Sequence, residues 1–214
     1  MRRLRRLRRL LALLLLPLAA PWVLAGCGSI TYAALVNDAV ISRSSLNQEL
    51  SDMSHNKLFV QAVDQQRGSS GSIEGVSPGS YSKTFVALLL TQRIDYELVH
   101  QELLRRKALP GASELQQAEP VVVQRYTLQT PGDVYHEFST DYQNTLVQRE
   151  AEVTALENAV PGQQALNDLF TKLIQDAKIK VSPEFGTFDK NGNPSTGTGP
   201  SVVPPPVPHP PSGG

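Results

Sequence analysis

The fold is decided by residues 33–46, which read AALVNDAVISRSSL. Apolar residues flank the Asn37-Asp38 pair on both sides, and this pattern predicts two short strands joined by a tight turn. Ser42 or Ser45 can then cap a helix, because a serine hydroxyl accepts a hydrogen bond from a backbone N–H of the first helical turn. The stretch therefore predicts a β-hairpin that leads directly into a helix.

Downstream of the hairpin, apolar residues recur at helical spacing, so the rest of the domain is expected to be mostly helical. The expected segments are a first helix to about residue 66, a flexible loop at 67–80, a main helix at about 81–107, a shorter helix from Ser113 that Pro120 must kink or end, a long helix whose apolar stripe runs from Tyr135 to Leu156, and a last helix at about 163–177. Residues 178–181 alternate like a short strand. The sequence thus predicts a mostly α fold with a small β-sheet.

The first 26 residues have the pattern of an export signal. Six arginines precede an apolar run that ends in Leu24-Ala25-Gly26-Cys27, as in a secretory signal peptide. The run is broken by Pro17 and Pro21 and is short for a bilayer, so a permanent transmembrane helix is disfavoured. Leu-Ala-Gly-Cys resembles the lipobox of bacterial lipoproteins, which implies that Cys27 becomes the lipid-bearing first residue. The alternative is a cleaved signal followed by an incidental cysteine.

Domain boundaries follow from this signal and from the proline distribution. Removal of residues 1–26 leaves about 188 residues, enough for one domain with a core. Residues 27–32 are then a linker to the anchor, and residues 33–189 are the domain. Residues 190–214 hold eight of the sixteen prolines, so we expect a disordered or polyproline II tail.

The charge balance changes when the signal is removed. The whole chain carries 20 basic and 20 acidic residues, but the loss of six arginines leaves 14 basic residues against 20 acidic ones, a net charge of −6. An acidic chain lacks the basic surface that nucleic acid requires. We therefore expect no nucleic-acid partner.

A family resemblance covers most of residues 33–189. Besides the opening at 34–46, residues 92–99 read QRIDYELV and residues 179–189 read IKVSPEFGTFD. In this order the three stretches resemble the opening, the next helix and the closing strand of the SurA-type N-terminal chaperone domain, of the SurA and trigger-factor type of peptide-binding proteins. The resemblance implies that the N-terminal hairpin and the C-terminal strand pair in space. It also implies a helical cradle for unfolded exported chains.

The chain departs from this family in one respect. Full-length relatives carry parvulin-type prolyl isomerase modules between the N-terminal helices and the closing segment. Only about 40 residues separate Pro120 from Pro161 here, and their pattern predicts a single long helix. No isomerase module fits, so the chain is not expected to be an enzyme.

The main helix has apolar residues on two faces, which predicts either packing on both sides or one face left for a ligand. One face comprises Phe85, Leu88, Leu89, Tyr96, Val99 and Leu103. The other comprises Val86, Leu90, Ile94 and Leu98, and we name it the candidate client face. Its alternative role is ordinary core.

Several short motifs imitate catalytic or metal sites. Residues 75–79 (GVSPG) match a nucleophile elbow and residues 80–83 (SYSK) match S-x-x-K, but neither has the surrounding elements that those motifs need. Residues 189–193 (DKNGN) resemble the start of a calcium loop, whose later ligand positions are here prolines. The four histidines have no ligand spacing. We expect no catalytic residue, no cofactor and no metal.

These observations favour a lipoprotein anchored through Cys27 on the extracytoplasmic face of the cell membrane. Its expected partners are unfolded or partly folded exported polypeptides, which it binds as a chaperone without catalysis. One alternative is a foldase related to prolyl isomerases, and another is a structural envelope lipoprotein with one dedicated partner. The sequence does not predict the oligomeric state.

Overall fold

The computed structural model describes residues 32–67, 73–75, 77, 79–129 and 132–186. These residues form a mostly helical fold with a small antiparallel sheet, as the sequence predicts. In chain order the elements are β1 (Tyr32–Val36), β2 (Ala39–Ser42), α1 (Arg43–His55), α2 (Lys57–Arg67), α3 (Lys83–Arg106), α4 (Ala112–Gln129), α5 (Thr140–Ala159), α6 (Gln163–Asp176), β3 (Ile179–Val181) and a 3-10 helix (Pro183–Phe185). No helix in the described part of the chain is long and apolar enough to cross a membrane.

Several predicted features lie outside these residues. They are the signal peptide, Cys27, the linker up to residue 31 and the proline-rich tail. The expected loop at 67–80 is described only in part. There, Glu74 and Tyr81 form an isolated antiparallel bridge, and Ile73 is fully buried in the main core.

The sheet joins the two ends of the domain. Its strand order is β2-β1-β3, and both pairings are antiparallel. Leu35 in the middle of β1 lies opposite Val40 on one side and Lys180 on the other. The predicted hairpin and its predicted pairing with the C-terminal strand are therefore both confirmed.

Helix α1 begins directly after Ser42, which is also the last residue of β2. Ser42 is the N-cap, since its hydroxyl accepts a hydrogen bond from the N–H of Ser45 at 3.0 Å. The apolar stripe of α1, formed by Leu46, Leu50 and Met53, is buried. The sheet packs against both α1 and α3, the longest described helix, and α3 also contacts α5. Helix α1 reaches α3 through the ion pair of Glu49 and Arg93. The core thus surrounds α3 on more than one side.

The single first helix expected up to residue 66 is two helices, because the chain breaks at Asn56. The Asn56 side chain is buried and accepts a hydrogen bond from the N–H of Phe59 at 2.9 Å, which caps α2. Its amide also donates to the carbonyl of Val134 at 2.7 Å. One asparagine thus ends α1, begins α2 and binds the turn before α5.

Pro120 does not end α4, which continues for nine residues beyond it. Proline removes the hydrogen bond to the carbonyl four residues earlier, here that of Gln116. Both residues are exposed, so water can bind the carbonyl that the proline leaves unpaired. Of the two outcomes expected at Pro120, a kink or an end of the helix, the structure excludes the end.

The long helix expected from Tyr135 begins only at Thr140. Ser139 is its N-cap, with the Ser139 hydroxyl accepting from the N–H of Tyr142 at 3.2 Å. Tyr135 and Phe138 are still buried, but in the turn that precedes the helix. The segment between Pro120 and Pro161 therefore contains the end of α4 and all of α5, which pack against each other, so the expectation of a single long helix there is wrong.

Candidate functional site

The candidate client face lies in the core rather than at the surface. Leu90, Ile94 and Leu98 are 0%, 1% and 3% exposed, and Val86 is half-buried against the same cluster. The opposite face of α3 is buried as well, because the helix contacts the sheet on one side and α5 on another. The interpretation of this face as a client surface is therefore wrong, and the alternative role as core fits the structure.

Leu98 is the member of this face that reaches a surface groove. The groove lies between α3, α6 and the hairpin turn, and we name it the α3–α6 groove. It has a volume of about 290 Å³ and is lined by Asn37, Leu98, Gln101, Glu102, Arg105, Leu173, Asp176 and Ala177. Its lining combines two leucines with charged and amide side chains.

Helix α6 has an apolar face that the domain covers only in part. Leu166 is buried, whereas Leu169, Phe170, Leu173 and Ile174 are all half-buried. Leu169 and Phe170 pack against a small cluster that contains Leu103 of α3 and Leu156 of α5, while Ile174 packs against the main core. Leu173 lines the α3–α6 groove. A partly covered apolar face beside a groove is the arrangement through which a protein can hold an apolar segment.

Asn37 fixes one wall of this groove. Its backbone is left-handed, with φ of 55°, which asparagine tolerates better than most residues. Its side-chain amide donates to Gln101 Oε1 at 2.6 Å, and its Oδ1 accepts from the N–H of Lys178 at 3.0 Å. Gln101 in turn donates to the carbonyl of Val36 at 3.1 Å. The hairpin turn, α3 and the start of β3 are thus joined at the groove.

The other wall carries a fixed charge cluster. The carboxylate of Glu102 accepts hydrogen bonds from Arg105 at 2.6 and 2.7 Å and from Arg106 at 2.6 Å. The hydrogen bond from Arg105 is the main cause that lowers the pKa of Glu102 to about 2. Glu102 therefore stays ionised at neutral pH, and Arg105, whose side chain is 68% exposed, leaves donors at the rim of the groove.

A second charge cluster lies inside the domain and holds three helices together. Glu49 of α1 is buried and binds Arg93 of α3 at 2.9 Å and Arg149 of α5 at 2.5 and 2.9 Å. Arg149 also lies 4.9 Å from the ring centre of Tyr96. Burial raises the pKa of Glu49, but the hydrogen bonds and charges of Arg149 and Arg93 outweigh it and hold the pKa below its usual value.

Sequence reasoning overlooked this internal cluster, although the sequence contained a signal for it. Glu49 falls between Leu46 and Leu50 on the buried stripe of α1. Arg149 likewise lies on the stripe of α5, between Leu146 and Val153. A charged residue at a core position of an amphipathic helix predicts a buried partner. The identity of the partner depends on tertiary contacts that the helical periodicity does not contain.

Residues 75–83, which hold the GVSPG and SYSK motifs, are described only in part, and the DKNGN motif at 189–193 lies outside the described residues. The Ser80 hydroxyl donates to the carbonyl of Ser77 at 2.6 Å, and the N–H of Gly75 donates to the carbonyl of Ser80, so local backbone contacts hold Ser80. An open groove of about 610 Å³ lies nearby, lined by Ser54, His55, Lys57, Val60, Gln61, Asp64, Gln65 and Glu74. Among the described residues there is no group of three or more His, Cys, Asp or Glu side chains that could hold a metal ion.

No family model, curated protein or solved structure matches this chain. The likeness to the SurA-type domain therefore depends on the sequence motifs alone.

Proposed function

We propose that the mature chain is a lipid-anchored extracytoplasmic protein that binds unfolded or partly folded exported polypeptides without catalysing a reaction. The observation that carries the proposal is the partly covered apolar face of α6 beside the α3–α6 groove. It replaces the candidate client face, which is core. The export signal and the lipobox-like Leu24-Ala25-Gly26-Cys27 support the location.

The groove offers two kinds of contact to an extended polypeptide. Leu173 offers apolar surface, and burial of apolar area is worth about 25 cal/mol per Å² whatever the sequence of the client. Arg105 offers donors and Asp176 offers acceptors to the client backbone. One buried apolar side chain contributes only about 1.5–3 kcal/mol. Many clients can therefore be held weakly and released.

The proposal is tested by the suppression of aggregation of several unrelated unfolded proteins. The mature chain is expected to suppress aggregation, and Leu173→Glu is expected to abolish most of this effect because it places a charge in the apolar part of the groove. Leu109→Glu is the matched control, since Leu109 is an exposed leucine outside the groove lining. Circular dichroism checks that both variants fold. Equal activity of Leu173→Glu and the unmodified chain contradicts the assignment of this groove.

Two further measurements separate the alternatives. Acceleration of cis-to-trans isomerisation of a short X-Pro peptide, well above background, contradicts a non-catalytic protein. Recovery of one partner in a pull-down, without suppression of aggregation for unrelated proteins, favours a structural envelope lipoprotein.

A further inference from the structure

The three-stranded sheet has one covered face and one open face. Ala34, Val36 and Ile41 point towards α1 and α3 and are at most 3% exposed. Because side chains alternate along a strand, their neighbours Leu35 and Val40 point to the opposite side. Val40 is 62% exposed, the highest value among the large apolar side chains in the described part of the chain.

The open side continues across all three strands. Leu35 lies opposite both Val40 and Lys180. The ammonium group of Lys180 is 5.8 Å from the ring centre of Tyr32, so Tyr32 shares this side. The register shift between Tyr32 and Ala34 accounts for this, because a β-bulge changes the alternation locally. We name this surface the open sheet face, composed of Tyr32, Leu35, Val40 and Lys180.

The composition of the open sheet face fits the surface of a lipid bilayer. Tyrosine has an apolar ring and a polar hydroxyl, and it is enriched where hydrocarbon meets water. Lysine can lay its aliphatic chain along an apolar surface while its ammonium group stays among headgroups. Leu35 and Val40 supply the aliphatic area between them.

The distance to the expected anchor is short. Only residues 28–31 lie between Cys27 and Tyr32, the first residue of β1, so five residue-to-residue steps join the two. Five residues span at most about 18 Å when fully extended. If Cys27 carries lipid, the domain is held against the bilayer at the start of the strand that forms the middle of the open sheet face.

Local charge permits this contact although the mature chain is acidic. Residues 32–42 and 178–186, which form the hairpin and the described part of the closing segment, contain two acidic groups, Asp38 and Glu184, and two basic groups, Lys178 and Lys180. Glu184 is paired with Arg43. The sheet region therefore lacks the negative excess of the whole mature chain, and an anionic lipid surface does not repel it.

We infer that the open sheet face rests on the lipid surface in which Cys27 is anchored, with α1 and α3 on the side away from the bilayer. This inference rests on the anchoring part of the proposed function and is independent of client binding. Both the short tether and the residue types of the open sheet face favour a lipid surface as its contact.

Tryptophan fluorescence tests the contact. Trp22 is the only tryptophan and precedes Cys27, so a mature chain contains none. Val40→Trp places a reporter on the open sheet face, and Val121→Trp is the matched control on an exposed valine of α4. The lone cysteine Cys27 is coupled to a maleimide lipid in vesicles of phosphatidylethanolamine and phosphatidylglycerol, so the test does not depend on cellular lipidation.

Lipids brominated near the headgroup should quench most of the emission of Val40→Trp and shift it to shorter wavelength, while Val121→Trp stays unquenched. Quenching of Val40→Trp that is no greater than that of Val121→Trp overturns the inference. A shift to shorter wavelength without lipid quenching overturns it as well, since protein, such as a second copy, then covers the face.

Hydrogen exchange on the unmodified chain gives a second measurement that needs no tryptophan. Amides of β2 should exchange more slowly after coupling to vesicles than in solution, whereas those of α4 should not change. Unchanged exchange in β2 overturns the inference. Failure to suppress aggregation contradicts client binding, but it does not affect the fluorescence and hydrogen-exchange measurements of lipid contact. The mass of the N-terminal peptide from cells shows separately whether Cys27 is lipidated.

Discussion

Glu49 and Arg149 lie one hundred residues apart in the chain and form a two-pronged ion pair, with N···O distances of 2.5 and 2.9 Å. Both side chains are largely buried, and Arg93 binds the same carboxylate. A buried ion that loses its partner is much less stable than one in water. The arrangement of α1, α3 and α5 therefore depends on this contact more than on the ion pairs at the surface.

Arg149→Met should lower the free energy of unfolding by about 3–5 kcal/mol, because it leaves Glu49 buried with one arginine instead of two. Urea unfolding followed by circular dichroism measures the loss. Arg43→Met is the control, since the side chains of Arg43 and Glu184 are 34% and 41% exposed and such ion pairs contribute up to about 1 kcal/mol. Similar losses for the two variants would show that the internal cluster has no special role.

Stability should fall in acid because of Glu49 and Glu102. The pKa of each lies below the usual glutamate value of 4.5, and that of Glu102 is about 2. Their ionised forms therefore stabilise the fold above the unfolded-state pKa, and this contribution is lost as pH falls from 4.5 towards 2. Urea unfolding at about pH 5 and about pH 3 measures the loss. Glu49→Gln should show a smaller loss over this interval, and an unchanged loss would exclude Glu49 as a source.

Substitutions at Asn37 should separate its backbone role from its side-chain role. Asn37→Gly keeps the left-handed conformation but loses the hydrogen bonds to Gln101 and Lys178, which together contribute about 1–3 kcal/mol. Asn37→Ala loses these bonds and adds about 1–2 kcal/mol of backbone strain. Thermal or urea unfolding should therefore rank the alanine variant below the glycine variant. The reverse order would mean that the turn changes conformation at little cost.

Asn56→Ala should destabilise the domain by about 2–3 kcal/mol, since it removes the cap of α2 and leaves the carbonyl of Val134 unpaired. His136→Ala in the same turn is the control, because the exposed side chain of His136 binds the exposed Asp133 and contacts the neighbouring ring of Tyr135, so it joins no distant part of the chain through these contacts. Urea unfolding compares the two variants. A loss for Asn56→Ala no larger than that of the control would contradict the role of Asn56.

The features that the sequence predicts well depend on neighbouring residues. The Asn37-Asp38 pair predicts the hairpin, and a serine directly after it predicts the start of α1, since turn and capping preferences act over a few residues. The alternating residues before Ser182 likewise predict β3. The prediction that β1 pairs with β3 is implied by the family resemblance. The strand patterns by themselves do not specify this pairing.

The features that sequence reasoning missed depend on distant contacts. Asn56 breaks the first helix because it binds Val134, a residue far along the chain. Leu90 and Ile94 are core because α3 is packed on two sides, and an apolar stripe looks the same whether it meets protein or a client. Leu173 lies on the apolar stripe of α6, and its position beside the groove follows from how α6 meets the hairpin turn.

The position of β1 between β2 and β3 determines the order in which the domain can be completed during the proposed export. Lys178 binds Asn37 across 141 residues of chain, so a polypeptide that emerges N-terminus first presents the hairpin long before its third strand arrives. Until then one edge of β1 has unpaired backbone groups, and such edges favour pairing with other chains. Closing so long a loop is also slow. A protein proposed to bind immature exported polypeptides thus passes through the same vulnerable stage itself.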